Sequence, residues 1–337
     1  MGSWNLLNNR STPPIAIHFG GDVIRMMQIQ RSNEPTLHYA VEVSGTGHGI
    51  EAAMEGFLGK QCIVGLPSGD LLVQHVRVPI EASEKEIREQ LIPHDSRWGN
   101  AEIRHLCVMF TGSGSQGNAR QELICLGIDR NVMLQCVDDL EKSKLQIVAI
   151  TAPIYASIRV FDQLYRRTEN ANRTSMLIEI EDKASMVMIA QGGNCVFANQ
   201  FDTRSNSKSK SWEPIPSLIK VSAASEHGDE RRGTMQPRGL REVDKNNGKA
   251  NDQLVVELER CLRHHDALFP DRVVDQIIFS GHGANDTEIC ASIATKLGIA
   301  GYIADPSAWI AESAEVAGGP AWTTVAGMCL RYTEMAA

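Results

Sequence analysis

IAIHFGGDVIRMMQI, residues 15–29, joins two apolar runs through the polar turn His18-Phe19-Gly20-Gly21-Asp22. MLIEIEDKASMVMI, residues 176–189, repeats the design in the second half of the chain. Continuous or alternating Ile, Val and Met on both sides of a turn predict buried strands. The duplication therefore predicts a two-lobed protein in which each half opens with a strand pair and the two polar turns face a common cleft. What those turns contain decides whether the cleft is built for chemistry or for structure.

The size of the chain fits this reading. At 337 residues it exceeds what one average hydrophobic core fills. With 42% hydrophobic and 22% charged residues it has the make-up of a globular protein. A net charge of −8 argues against binding nucleic acid or an anionic bilayer, both of which need a basic surface. No apolar run reaches the roughly 20 residues that span a bilayer. Residues 1–14 form a polar tail without the basic and apolar regions of a secretion signal, so the expected location is the cytoplasm. The eight cysteines never form a C-x-x-C pair and mostly sit in apolar runs, which predicts buried free thiols in a reducing compartment.

Working outward, residues 36–43 continue the first sheet, 49–58 have helical spacing, and 62–66 form a strand closed by Pro67-Ser68-Gly69. Residues 71–78 alternate as a strand. Ser83 with Glu86 three positions on has the capping-box pattern and starts a helix. Strands at 103–110 and 121–128 and a helix at 131–142 complete an inserted α+β subdomain placed at about 80–145, within a first lobe at 15–174. The second lobe is placed at 175–337, with a helix at 254–268, a strand at 274–280, a helix at 286–297, a strand at 299–304 and a helix at 322–330. Within the second lobe, residues 203–252 are polar and charged with few large apolar residues, the composition of a disordered stretch. The fold class is α/β, with a sheet in each lobe.

Three turns could carry chemistry. Gly20, Gly21 and Asp22, followed by Arg25, would let backbone N–H groups and a cation approach an anion, although a plain hairpin turn uses the same residues. The matching turn in the second copy holds Glu179, Glu181 and Asp182. These carboxylates could ligate magnesium, but an exposed charged hairpin is the reading preferred. In the third, Ser280-Gly281-His282-Gly283-Ala284, a strand runs through glycines into a helix, which suits a phosphate or ring lying against the backbone as well as a tight connection. Cys261, His264 and His265 share one helix without a second ligand cluster and read as a solvated face. The sequence lacks G-x-S-x-G, H-E-x-x-H and G-x-x-x-x-G-K-[ST].

In order and spacing, IAIHFGGDVIRMMQI, CIVGLPSGDLLVQHVRVP, SMLIEIEDKASMVMIAQGGNCVF and the run from LVVELERC to FSGHGANDTEICASIATKLGI resemble the actin-like ATPase superfamily. Within it they are most similar to the PilM-like proteins of type IV pilus assembly, relatives of FtsA. The resemblance implies a two-lobed actin-like fold with ATP and magnesium in the cleft, held through Gly20, Gly21, Asp22, Arg25, Glu179, Ser185, Gly281, Gly283 and Ala284. This chain departs from the family pattern where His18 and Glu179 replace loop aspartates, Glu181 replaces a loop glycine, and Thr287-Glu288 replaces a Pro-Gly pair. A glutamate in a phosphate loop adds bulk and negative charge, so the resemblance implies a degenerate nucleotide site and no catalytic residue. It also implies a cytoplasmic scaffold in the pilus assembly complex that can self-associate. Its inserted subdomain would receive the cytoplasmic peptide of a PilN-like inner-membrane protein, which recruits it to that membrane. The alternatives are a working ATPase or small-molecule kinase of the same fold, or a type II secretion component.

Overall fold

The computed structural model describes residues 12–20, 23–30, 34–44, 49–111, 120–165, 172–202, 237–243, 252–313 and 315–334. In chain order the elements are β1 (Ile15–Gly20), β2 (Val23–Gln30), β3 (Thr36–Ser44), α1 (Ile50–Ala53), β4 (Gln61–Gly65), β5 (Leu71–Pro79), α2 (Glu84–Leu91), β6 (Ala101–Thr111), β7 (Arg120–Asp129), α3 (Arg130–Lys142), β8 (Gln146–Thr151) and α4 (Pro153–Leu164). The second half continues with β9 (Thr174–Ile180), β10 (Ala184–Gln191), β11 (Asn194–Asp202), β12 (Leu240–Glu242), α5 (Asp252–Leu268), β13 (Gln276–Ser280), α6 (Thr287–Leu297), β14 (Ala300–Ala304) and α7 (Thr323–Glu334).

These elements make three sheets, ordered β3-β2-β1-β4-β8, β11-β10-β9-β13-β14-β12 and β5-β7-β6. The duplicated pattern lies at the centre of the two large sheets. In each, an antiparallel hairpin (β1–β2 or β9–β10) is extended on its inner side by a parallel strand, β4 beside β1 and β13 beside β9. The reason is visible in β9, where alternate residues serve different cores. Met176 and Ile178 pack outward against α5 and α6, while Leu177 packs inward with Met186 and Met188. In β1, Ile15 and Ile17 face outward and Ala16 inward. Sheets covered on both faces read as near-continuous apolar runs.

The inward faces meet across a shared layer made by α4 and α7, where Ile154, Val160, Phe161, Val325 and Met328 join residues of both sheets in one core. Gly327 permits this crossing, since a Cβ there would lie 2.4 Å from the Ala156 carbonyl oxygen. The terminal helix, placed by sequence with the second lobe, packs on β1 and β2 of the first sheet.

Local readings and structure differ at several places. The helical spacing at 49–58 yields only α1 and a 3-10 turn at Met54–Gly56, because Gly56 lies flat under Tyr39, where a Cβ would sit 2.3 Å from the ring. The small sheet takes β5 as a member and spans 71–129. It thus starts ahead of the expected position 80, while Leu140 of α3 packs into the first lobe's outer core. β11 has no counterpart among the sequence-based elements. Of the stretch 203–252 read as disordered, 237–243 are described and give β12, which pairs antiparallel with β14. Positions 203–236 and 244–251 lie outside the described residues, as do residues 1–11 of the tail. The Ser83–Glu86 capping box at α2 is present as expected.

Candidate functional site

The β1–β2 hairpin, the β9–β10 turn and the turn after β13 converge at the ends of their strands, and one carboxylate lies where they meet. Register places Arg25 opposite His18 on β1 and opposite Glu42 on β3. The Arg25 side chain is fully buried. Its Nε donates to Glu42 Oε2 at 2.9 Å, and its Nη2 donates to His282 Nδ1 at 3.4 Å, which must therefore be the unprotonated ring nitrogen. Its Nη1 stands 3.5 Å from Glu181 Oε1. That same oxygen accepts the backbone N–H of His282 at 3.1 Å. Glu181 thus reaches from the second sheet to a cation of the first, and also holds the third turn.

The glycines at this junction are explained by the chain itself. A Cβ on Gly20 would lie 2.8 Å from Arg25 Nη1 and 3.5 Å from Glu181 Oε2, so the Glu181 carboxylate sits directly over that turn. Gly281 has φ +82°, and a Cβ there would come within 2.5 Å of the Ile180 carbonyl oxygen. At Gly283 the neighbour is Ile180 Cγ2 at 2.4 Å. Both glycines of the third turn are therefore required by the end of β9. Ala284 is buried in the outer core of the second sheet.

The electrostatics follow from burial. Glu181 is 5% exposed, and its carboxyl is pushed up to about 7: burial raises it more than the Arg25 guanidinium lowers it, and nearby Glu179 raises it further. Glu179 is also buried and raised, chiefly by burial, while Thr324 of α7 donates its hydroxyl to Glu179 Oε1. His18 is fully buried and lowered to about 3 by burial and then by Arg25, so it is a neutral imidazole, and neither of its ring nitrogens has a hydrogen-bond partner. Ser185 Oγ is likewise buried without a partner.

The structure brings Gly20, Arg25, Glu179, Ser185, Gly281, Gly283 and Ala284 to one end of the two sheets. Gly21 and Asp22 lie outside the described residues. Two expectations are corrected. The second turn is not an exposed charged hairpin, for Glu179 and Glu181 are buried and only Asp182 and Lys183 of its tip are exposed. The α5 trio is a solvated face only at His264, since Cys261 and His265 are buried. Among the described residues no cluster of His, Cys, Asp and Glu is arranged to hold a metal ion. Sequence reading missed Glu42 and Thr324, and named His282 only as part of the third turn. Opposite charges across the β2–β3 pair were a usable signal for Glu42, whereas nothing local marks Thr324.

A second concave feature lies beside the small sheet. A groove of about 760 Å³ runs between β6–β7 and the edge formed by β8 and α4, with Leu71, Leu106, Leu126, Met133, Ile150 and Tyr155 in its wall. Glu102, Arg104, Arg159 and Asp162 give it a polar margin of both signs.

No protein family and no curated protein matches this chain by sequence. Among solved structures, a PilM–PilN type IV pilus biogenesis complex aligns over 95% of this chain and 98% of that one, with a TM-score of 0.67 at 12% identity. The fold is PilM-like. It belongs to the two-lobed actin-like ATPase class, with the small sheet inserted between β4 and β8. Two looser likenesses add nothing on function. The cytoplasmic domain of EpsL, from the type II secretion system of Vibrio cholerae, covers 57% of this chain and 72% of its own at 14% identity and a TM-score of 0.39. A Bacteroides thetaiotaomicron protein with an actin-like ATPase fold and unknown function covers 90% and 94% at 10% identity and 0.46.

Proposed function

We propose that this chain is an actin-like scaffold of type IV pilus assembly, working in the cytoplasm and recruited to the inner membrane by a PilN-like partner. Its docking surface is the groove between the inserted sheet and the first lobe. The observation that carries the reading is that groove: apolar in its wall, charged at its margin, and lying on the insertion by which the PilM-like fold differs from a plain two-lobed one. The likeness of the whole fold to a PilM–PilN complex supports the choice of partner. No helix among the described residues is long and apolar enough to cross a membrane, in keeping with recruitment through a partner.

The nucleotide site is degenerate in this reading. Mg-ATP does not fit the residues present, because a buried glutamate occupies the junction, the Arg25 guanidinium is engaged by two carboxylates, and the third turn's glycines are taken up by Ile180. The ATPase and kinase alternatives each require phosphates to replace the Glu181 carboxylate.

Capture of an immobilised PilN-like cytoplasmic peptide tests the docking surface. Leu106→Asp places a charge in the groove wall and should reduce capture at least tenfold while circular dichroism stays unchanged. Undiminished capture by a folded variant would remove the groove from the proposal.

A further inference from the structure

We propose that Glu181 is a built-in tie between the lobes, doing with the chain's own carboxylate what a bound ligand would do at this junction, so that closure of the cleft is set internally. The inference deepens the degenerate-site reading and rests on it. Three contacts carry it. Glu181 follows β9 of the second sheet, and its Oε1 accepts the His282 N–H while standing 3.5 Å from Nη1 of Arg25 on the first sheet. Arg25 in turn reaches His282 Nδ1, so the tie is a triangle with one corner in the first lobe and two in the second. Two of its corners are shielded from water, with Glu181 5% exposed and Arg25 fully buried, while His282 is half-buried.

Burial gives these contacts their leverage. A backbone N–H that loses its acceptor inside a protein has no water to turn to, and a buried guanidinium that loses a neighbouring carboxylate keeps its desolvation cost. Separating the lobes at this point breaks the Arg25 contacts and leaves Glu181 attached to its own lobe. Truncating Glu181 therefore loosens the junction from inside, without altering the α4–α7 layer, which also joins the two sheets. Glu181 here is a positioning residue.

Hydrogen exchange of the full chain reads this directly. In Glu181→Ala, exchange should accelerate about tenfold or more in segments 23–27 and 280–285. The strand centres at 176–179 and 276–279 should be unchanged. Glu181→Gln keeps an oxygen acceptor for His282 and should restore protection at 280–285, which a purely space-filling role would not do. Glu181→Leu fills the space without an acceptor and should resemble the alanine variant. Unchanged exchange in the alanine variant, or equal protection in the glutamine and leucine variants, overturns the tie. If the alanine variant fails to fold, the glutamine–leucine comparison decides alone.

Two controls separate this inference from the readings beneath it. Mg-ATP added to the unaltered chain should leave both segments unchanged. Protection by Mg-ATP there would refute the degenerate site and with it the ligand-free tie, whereas failure of the variants alone refutes only the tie. Peptide capture by Glu181→Gln should equal that of the unaltered chain, since the docking groove does not include this junction.

Discussion

Replacing Glu181 by glutamine should change how stability depends on pH, by an amount that follows from its burial. Burial pushes the carboxyl up to about 7 in the folded chain, against an ordinary value of 4.5. At 1.36 kcal/mol per unit, ionised Glu181 costs the folded state about 3 kcal/mol relative to the unfolded chain. The sign follows from proton binding: between pH 4.5 and 7 the folded state holds a proton that the unfolded state has released. Glu181's contribution is therefore fully favourable below pH 4.5 and is lost as pH rises to 7, after which it stays constant. Glutamine has the shape of the protonated acid and no titration. Urea unfolding at pH 5, 6, 7 and 8 should find the variant about 1 kcal/mol more stable than the parent at pH 5 and about 3 kcal/mol more stable at pH 8, with the same denaturant slope. Titrating groups remote from Glu181 cancel in the difference between the two proteins. A difference that does not change from pH 5 to 8, or that comes to favour the parent as pH rises, would show that the Arg25 ion pair outweighs burial and that the reasoning is wrong.

Two further substitutions probe the same junction. Gly281→Ala combines a left-handed backbone with a Cβ only 2.5 Å from the Ile180 carbonyl oxygen, so it should destabilise the fold by about 3 kcal/mol and lower the melting temperature measured by calorimetry. His18→Leu replaces a buried imidazole whose two nitrogens have no partner by an apolar side chain of similar size. Urea unfolding at pH 7 should show it neutral or more stable by up to about 1 kcal/mol, and a loss above 2 kcal/mol would point to a partner for the imidazole.

Much of the fold was legible in the chain because it depends on periodicity. The apolar runs at 15–29 and 176–189 could be buried only as strands covered on both faces, and both became central hairpins. Ser83 and Glu86 announced the start of α2 through chemistry confined to four residues. By contrast, β5 reads as a strand in either sheet, and only pairing with β7 assigns it to the insertion. β12 escaped notice because three residues in a polar stretch carry no periodic signal, and their partner β14 lies some sixty positions away.

The same division holds at the site. Sequence alone determined that the second turn carries Glu179, Glu181 and Asp182 and no glycine, and that Arg25 is the basic residue of the first hairpin. It could not tell whether Glu181 points to water or into the junction, since a charged turn satisfies local chemistry either way. Tertiary structure decided this by bringing His282, a hundred residues downstream, within hydrogen-bond distance, and by surrounding the carboxylate with two sheets. Depth of burial, hydrogen-bond partner and raised pKa all come from that convergence, which no local pattern encodes.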